Sequence, residues 1–384
     1  MRELPKYQDL SGEQQEVYEL PLDGNYLVSG PPGTGKTVMA LYRAQQYRKA
    51  GREVVLLSFN RLLNDFMGEG ARSLGIRPVV VAYTMWLKTI FNGSVPLVSN
   101  PKNNWDYDWN EIIQRATELP RLDCLIIDEG QDMPREFYFF VKQITDHLTV
   151  FADENQRIFE EQSTIADIRT WLGNPPEYRL TANYRNTRTI AELAARFYTG
   201  LQTGIPNLPE QGEHEPKIVV RNVQSDVESA RQIVARAKLD KTNPDRTVGV
   251  FAPDARAAWY MRKKGYDEDT ELELRETERD VWPKVLQHYF PWKRGMPPAP
   301  DTIFGVPGVY LTNLFNSKGL EFETLYLVRL QKLYRKLEDP MTLMLFYVAI
   351  ARARSTIEFH YSGPDEPEII GFLRDTGLDI TFET

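Results

Sequence analysis

Eight consecutive residues, Gly30-Pro31-Pro32-Gly33-Thr34-Gly35-Lys36-Thr37, constrain this chain more than any others. An apolar β-rich run, Tyr26-Leu27-Val28-Ser29, precedes them, and Thr37 to Lys49 follows with a helical pattern closed by Gly51. A glycine-rich turn between strand and helix lets the backbone curl until successive N–H groups point inward at an anion. The positive amino end of the helix adds to that field. The ending Gly-Lys-Thr fits a loop whose backbone cradles phosphates. Lys36 is then expected to reach the β- and γ-phosphates, and the Thr37 hydroxyl to ligate Mg²⁺.

A second apolar run, Leu125-Ile126-Ile127, ends in adjacent carboxylates, Asp128 and Glu129. Two acids at a strand end often mean only a solvated turn. After a phosphate loop they suit a metal site, with Asp128 holding Mg²⁺ and Glu129 accepting a proton from the attacking water.

Further buried runs alternate with helical patterns: Val54 to Leu57, Val79 to Val81 and Leu148 to Phe151, then Ile218 to Val220, Val248 to Phe251, Val309 to Leu311, Leu325 to Val328 and Ile357 to Phe359. Helices are expected over Thr187–Tyr198, Asp226–Leu239 and Met341–Ala353, the second opened by a Ser225-x-x-Glu228 capping box. Such alternation predicts an α/β fold with mainly parallel sheets flanked by helices. At 384 residues the chain suits two domains. The Pro/Gly cluster Gly173 to Pro176 suggests domains over 1–174 and 177–384, with a small insertion near 92–121 and an irregular one near 267–307.

Composition narrows the function classes. One cysteine, Cys124, excludes an intramolecular disulfide framework and a Cys-rich metal site. No apolar run approaches the ~20 residues of a spanning helix, and Met1 to Lys6 has no secretion-signal core, so no membrane partner is expected and the expected compartment is the cytosol. A formal net charge of −8 argues against non-specific coating of nucleic acid. It leaves room for a strand bound in one groove. The basic clusters at Arg262 to Lys264 and around Lys332 to Lys336 read as solvated faces.

In order, the motifs resemble those of superfamily 1 helicases of the UvrD/Rep type. Gln14, in Leu10-Ser11-Gly12-Glu13-Gln14, stands where that family has a glutamine that reads adenine. Asp128-Glu129-Gly130-Gln131 is similar to its D-E-x-Q box, and Asp153-Glu154-Asn155-Gln156 to the motif whose glutamine, here Gln156, senses the γ-phosphate. Asn183-Tyr184-Arg185-Asn186 matches the motif whose tyrosine packs on adenine and whose arginine meets the γ-phosphate. Lys318-Gly319-Leu320-Glu321-Phe322 places Glu321 near the ribose, and Tyr347 to Arg354 places Arg352 as a second arginine finger. The resemblance spans Gln14 to Arg352. It implies two RecA-like lobes with ATP hydrolysed in the cleft between them, ATP and Mg²⁺ as cofactors, hydrolysis by Lys36, Asp128, Glu129, Gln156, Arg185 and Arg352, and 3′–5′ movement on single-stranded DNA.

The intervals Lys36–Asp128 and Arg185–Lys318 are too short for the family's large accessory subdomains. Strand-contacting positions also depart from the pattern: Phe159-Glu160-Glu161-Gln162 replaces a Trp-Arg-Gly run, and Phe315 stands where a histidine is usual. Phe59, Tyr83, Trp86 and Phe315 either stack bases or fill core and interface positions. Asn60 is the polar candidate for a strand phosphate. Two function classes follow: a translocase or helicase on single-stranded DNA, or an ATP-dependent regulatory or sensor subunit beside a nuclease or other effector, as in a bacterial or phage antiviral system. RNA as the strand is a third reading that inspection does not decide.

Overall fold

The computed structural model describes residues 4–58, 67–68, 70–76, 79–101, 106–156, 163–201, 203–210, 212, 216–239, 247–251, 288–289, 308–312, 320–333 and 336–383. Two compact units divide the chain: Arg2–Tyr184 with Gly200–Asn207, and Arg185–Thr199 with Leu208–Thr384.

The N-terminal unit is built on six parallel strands: β1 (Tyr26–Ser29), β2 (Val54–Ser58), β3 (Val79–Ala82), β4 (Cys124–Ile127), β5 (Leu148–Ala152) and β6 (Glu177–Arg179). Their order across the sheet is β3-β2-β4-β5-β1-β6. The helices α1 (Gly12–Tyr18), α2 (Lys36–Lys49), α3 (Tyr83–Ile90), α4 (Trp109–Gln114), α5 (Arg135–Ile144) and α6 (Ile165–Trp171) accompany them. Successive strand residues point to opposite faces, and here both faces are covered. Leu27, Leu125, Ile127 and Val150 pack with Trp86, Phe137, Phe140 and Ile168 on one side. Val28, Leu56, Ile126 and Phe151 pack with Val17, Met39 and Tyr47 on the other. Cys124 lies in this second layer, its thiol pushed up to about 11 chiefly by burial. The expected insertion near 92–121 sends Ile112 and Ala116 into the first layer.

The N-terminal unit runs past the Gly173–Pro176 cluster. Beyond it, β6 adds to the edge of β1, and the Leu180 N–H continues the ladder by donating to the Ser29 carbonyl at 2.9 Å. The chain leaves this unit after Tyr184, enters the other at Arg185, and returns for residues 200–207. The returning strap is fastened at four points. The Asn207 N–H donates to the Thr181 carbonyl and its Nδ2 to Thr181 Oγ1, both at 2.7 Å. The Glu154 N–H donates to Thr203 Oγ1 at 2.9 Å, and Asn155 Nδ2 donates to the Gly204 carbonyl.

The C-terminal unit has a seven-stranded parallel sheet: β7 (Lys217–Val223), β8 (Thr247–Phe251), β9 (His288–Tyr289), β10 (Gly308–Thr312), β11 (Phe322–Leu327), β12 (Ala353–Ser362) and β13 (Thr381–Glu383). The order is β13-β7-β12-β11-β8-β10-β9. Its helices are α7 (Arg188–Ala195), α8 (Asp226–Leu239), α9 (Pro340–Ile350) and α10 (Glu368–Asp375). Ser225 caps α8 by accepting from the Glu228 N–H at 3.1 Å, as its spacing predicts. Of the irregular insertion near 267–307, only β9 lies within the described residues.

A charged cluster crosses this sheet. Glu358 on β12 accepts from Arg221 Nε of β7 at 2.8 Å and from Arg236 Nη1 of α8 at 2.7 Å. His360, two residues on and facing the same way, bridges Glu358 Oε2 at 3.2 Å and Ser229 Oγ at 2.7 Å. Among the described residues no helix is long and apolar enough to cross a membrane.

Candidate active site

Strand order decides the site. β5 lies between β1 and β4, so three loops meet at one carboxyl edge: the phosphate loop after β1, Asp128-Glu129 after β4, and Asp153 to Gln156 after β5. In parallel α/β sheets that edge is where ligands bind.

The phosphate loop is held from several sides. Gly35 takes a φ of +88°, which favours glycine, and a Cβ there would stand 2.6 Å from Gln14 Nε2. Gln14 has two roles. Its Oε1 accepts from the Ser11 N–H at 3.2 Å, and Ser11 Oγ accepts from the Gln14 N–H at 3.3 Å, a capping box that starts α1. Its Nε2 donates to the Thr34 carbonyl at 3.2 Å, tying α1 to the loop. Lys36, 6% exposed, donates through Nζ to the carbonyls of Gly30 at 2.7 Å and Pro31 at 3.0 Å. Thr34 Oγ1 donates to the Pro31 carbonyl at 2.9 Å. Pro32 and Gly33 complete the turn, and the Gly33 carbonyl accepts from the Tyr184 N–H at 2.9 Å. The Tyr184 side chain is about half exposed.

Thr37 Oγ1 donates to Asp128 Oδ2 at 2.7 Å, which joins the start of α2 to the end of β4. Asp128 is fully buried, and its other oxygen, Oδ1, has no hydrogen-bond partner among the described residues. Burial first, then the neighbouring Glu129 charge, pushes its carboxyl up to about 7. A divalent cation would stabilise the ionised form and take up the orphaned oxygen, so the hydroxyl–carboxylate pair fits a magnesium ion completed by phosphates and water. Among the described residues there is no group of three or more His, Cys, Asp and Glu that could hold a metal ion.

Glu129 has a left-handed backbone, φ +55° and ψ +45°. That conformation is uncommon for a residue with a Cβ and is held here by a surrounding network. Its Oε2 accepts from Gln131 Nε2 at 2.7 Å, while Gln131 Oε1 accepts from the Asp153 N–H at 2.8 Å. Asp153, also fully buried, accepts from Gln156 Nε2 at 2.7 Å through Oδ2, and that oxygen lies 3.8 Å from Lys36 Nζ. Burial raises the Asp153 carboxyl, and Lys36 opposes the rise.

These features place a Gly-rich phosphate-loop sequence, a candidate metal carboxylate and a candidate base on one sheet edge. A family model described as an AAA domain matches residues 14–161. That model describes a P-loop NTPase domain of the AAA-like group, and its match covers the part of the N-terminal unit that holds the phosphate loop and the Asp128-Glu129 turn. That group includes UvrD/Rep-type helicases, and its domain is that of an ATP hydrolase in general. Among curated proteins none matches the chain.

In the C-terminal unit the expected arginines gather at the amino ends of β11 and β12. Arg185 Nε pairs with Glu321 Oε2 at 3.1 Å, and Arg354 Nη1 with Glu321 Oε1 at 3.5 Å. Arg352 is 1% exposed, and its Nη1 donates to the Leu320 carbonyl at 3.4 Å. Asn186 Nδ2 donates to the carbonyls of Ala351 and Ala353 at 3.2 and 2.5 Å, which fixes the turn between α9 and β12. Glu321, expected near a ribose, pairs with Arg185 and Arg354.

The strand-contact candidates fare differently. Tyr83 and Trp86 are core residues at 9% and 3% exposure, edge-on to Phe137 at 5.8 and 6.1 Å. They sit on the inward stripe of α3, so the core alternative holds for both. Phe59, Asn60 and Phe315 lie outside the described residues, as does Lys318. Two polar residues of the network, Gln131 and Asp153, were not singled out by sequence. Each stood inside a motif already noted, but nothing in the sequence says that β5 inserts between β1 and β4.

Proposed function

We propose that the chain is an ATP-driven motor of the superfamily 1 type acting on single-stranded DNA, with hydrolysis in the N-terminal unit. The hydrogen bond from Thr37 to Asp128, with the second Asp128 oxygen left for a cation, carries the hydrolytic part of this reading. The phosphate loop and Lys36 bind the triphosphate. Asp128 and Thr37 hold Mg²⁺, which when bound neutralises phosphate charge. Glu129 takes the proton of the attacking water. The family resemblance adds Gln156 as γ-phosphate sensor, Arg185 and Arg352 as stabilisers of transition-state charge, and 3′–5′ movement.

Burial of Tyr83 and Trp86 favours the second class, a partner-controlled ATPase, because it removes two base-stacking candidates. The discriminating measurement is steady-state ATPase activity with and without single-stranded DNA or RNA across a salt series. Strong, salt-sensitive stimulation by DNA supports the motor, since phosphate contacts weaken as counterions compete. Turnover indifferent to both nucleic acids rejects it in favour of the regulatory subunit. Lys36→Ala is expected to abolish hydrolysis. Glu129→Gln is expected to bind ATP normally and lose turnover by 10²-fold or more, on the order expected for general-base removal.

A further inference from the structure

The side-chain amide of Gln14 has both ends occupied. Its Oε1 accepts from the Ser11 N–H and its Nε2 donates to the Thr34 carbonyl, each at 3.2 Å. An N–H only donates and a carbonyl only accepts, so the two partners hold the amide in one polarity. The nitrogen also lies against Gly35, where a Cβ would meet it at 2.6 Å. Gln14 itself is 5% exposed, and the helix that carries it is fixed from other sides. Leu10 and Val17, before and after it, are core residues. Both Glu13 oxygens accept from Thr181, one from its N–H and one from its Oγ1, each at 2.6 Å. A glutamine that reads adenine aims its oxygen at the N6 amino group and its nitrogen at N7. Turning this amide toward a base would take a donor from the carbonyl of a fully buried threonine and an acceptor from a helix start.

We propose that Gln14 positions the phosphate loop and does not read the base, so that the site takes nucleoside triphosphates without selecting the purine 6-position. The inference rests on the hydrolytic reading above and deepens it by naming the substrate class. Thr34 stands between Gly33 and Gly35, whose φ angles are +85° and +88°. Glycine backbone is the least restricted of any residue, so the bond from Gln14 holds the loop where it would otherwise yield most readily, two residues before Lys36. The helicase resemblance assigns this glutamine to adenine; its bonds assign it to the loop.

ATP and inosine triphosphate differ at the 6-position, amino against oxo, and inorganic tripolyphosphate carries no base at all. The test is hydrolysis kinetics of both nucleotides on the full chain, with tripolyphosphate as a competitive inhibitor. Wild type and Gln14→Met are compared, melting temperatures are recorded, and Lys36→Ala is run in parallel. In wild type the two nucleotides are expected to agree in kcat/KM within about fivefold, the least that one bidentate amide–adenine pair discriminates. Methionine keeps the length of the side chain and loses both of its bonds. Gln14→Met is expected to weaken both KM values and the tripolyphosphate inhibition constant by one common factor of roughly 3- to 10-fold, the scale of a lost hydrogen bond. A wild-type preference for ATP above about fivefold overturns the proposal. So does a variant that loses affinity for ATP while inosine triphosphate and tripolyphosphate keep theirs, which is the signature of a base reader. A lower melting temperature with all three constants unchanged marks a merely structural glutamine and overturns it too. Should Gln14→Met fail to fold, the wild-type nucleotide ratio decides. If Lys36→Ala keeps its activity, the hydrolytic reading falls and takes this proposal with it. If Lys36→Ala is dead and one of the overturning results is seen, Gln14 alone loses its role.

Discussion

At Gly130 a Cβ would stand 2.4 Å from Val150 Cγ1 and 2.8 Å from the Tyr138 hydroxyl, which itself donates to the Gly130 carbonyl at 2.7 Å. This glycine follows the strained Glu129 and lets the turn press against β5. Gly130→Ala must displace a packed strand residue, so it is expected to cost about 1–3 kcal/mol of stability, read as a lower urea midpoint. It should also lower kcat, because the turn carries Glu129. The residues proposed to touch phosphate and metal were legible from sequence because that chemistry requires fixed types at fixed spacing. Gln14 illustrates the limit. The sequence names it only by its place before the phosphate loop, and its hold on Thr34 needs the fold. Tyr83 and Trp86 show the converse, since a sequence records an aromatic ring but not which way a helix turns it.

At the scale of elements, the strands were the most legible part of the fold, because runs buried on both faces have no polar interruptions. β6 was missed: Glu177-Tyr178-Arg179 is short, polar and at a sheet edge, where one face and one ladder remain in solvent. β12 carries the clearest pH dependence. Burial pushes Glu358 up, but His360, Arg221 and Arg236 outweigh it and hold the carboxyl at about 2, below its ordinary 4.5. The stability this supplies is present above about pH 4.5 and is lost as pH falls through 4.5 toward 2, up to about 3 kcal/mol in all. His360 is lowered below 6.5, by burial first, so the unfolded chain takes its proton more readily and stability begins to decline below about 6.5. Urea midpoints from pH 7.5 to 3 should therefore fall in two stages. In Glu358→Gln the stage below pH 4.5 should flatten, from a lower starting stability. An unchanged acid slope would remove Glu358 as its source.

For the whole molecule, two units with separate cores predict two thermal transitions rather than one. A ligand that binds only the folded N-terminal unit raises that unit's transition. Mg²⁺ with a slowly hydrolysed ATP analogue at about 100 times its Kd should add about 2.7 kcal/mol, and Lys36→Ala should abolish the shift. If both transitions stayed in place for the wild-type chain, the phosphate loop would not be the nucleotide site. That two α/β units exist was foreseeable from the repeated alternation of strand and helix. That the chain passes between them three times was not, because residues 200–207 carry no periodic signal and bond mainly through backbone and small polar side chains.

That strap has a consequence for how the protein is made. Glu154 and Asn155, next to Gln156, are fastened by Thr203 and Gly204, and Thr181 by Asn207. Chains emerge from the ribosome amino end first and usually fold unit by unit in that order. Here the ATP-binding unit cannot close its own sensor loop until Asn207 has been synthesised, well after its last strand at Arg179 and after the whole of α7. A nascent chain stalled at Tyr184 would hold a finished sheet and an unfinished catalytic edge.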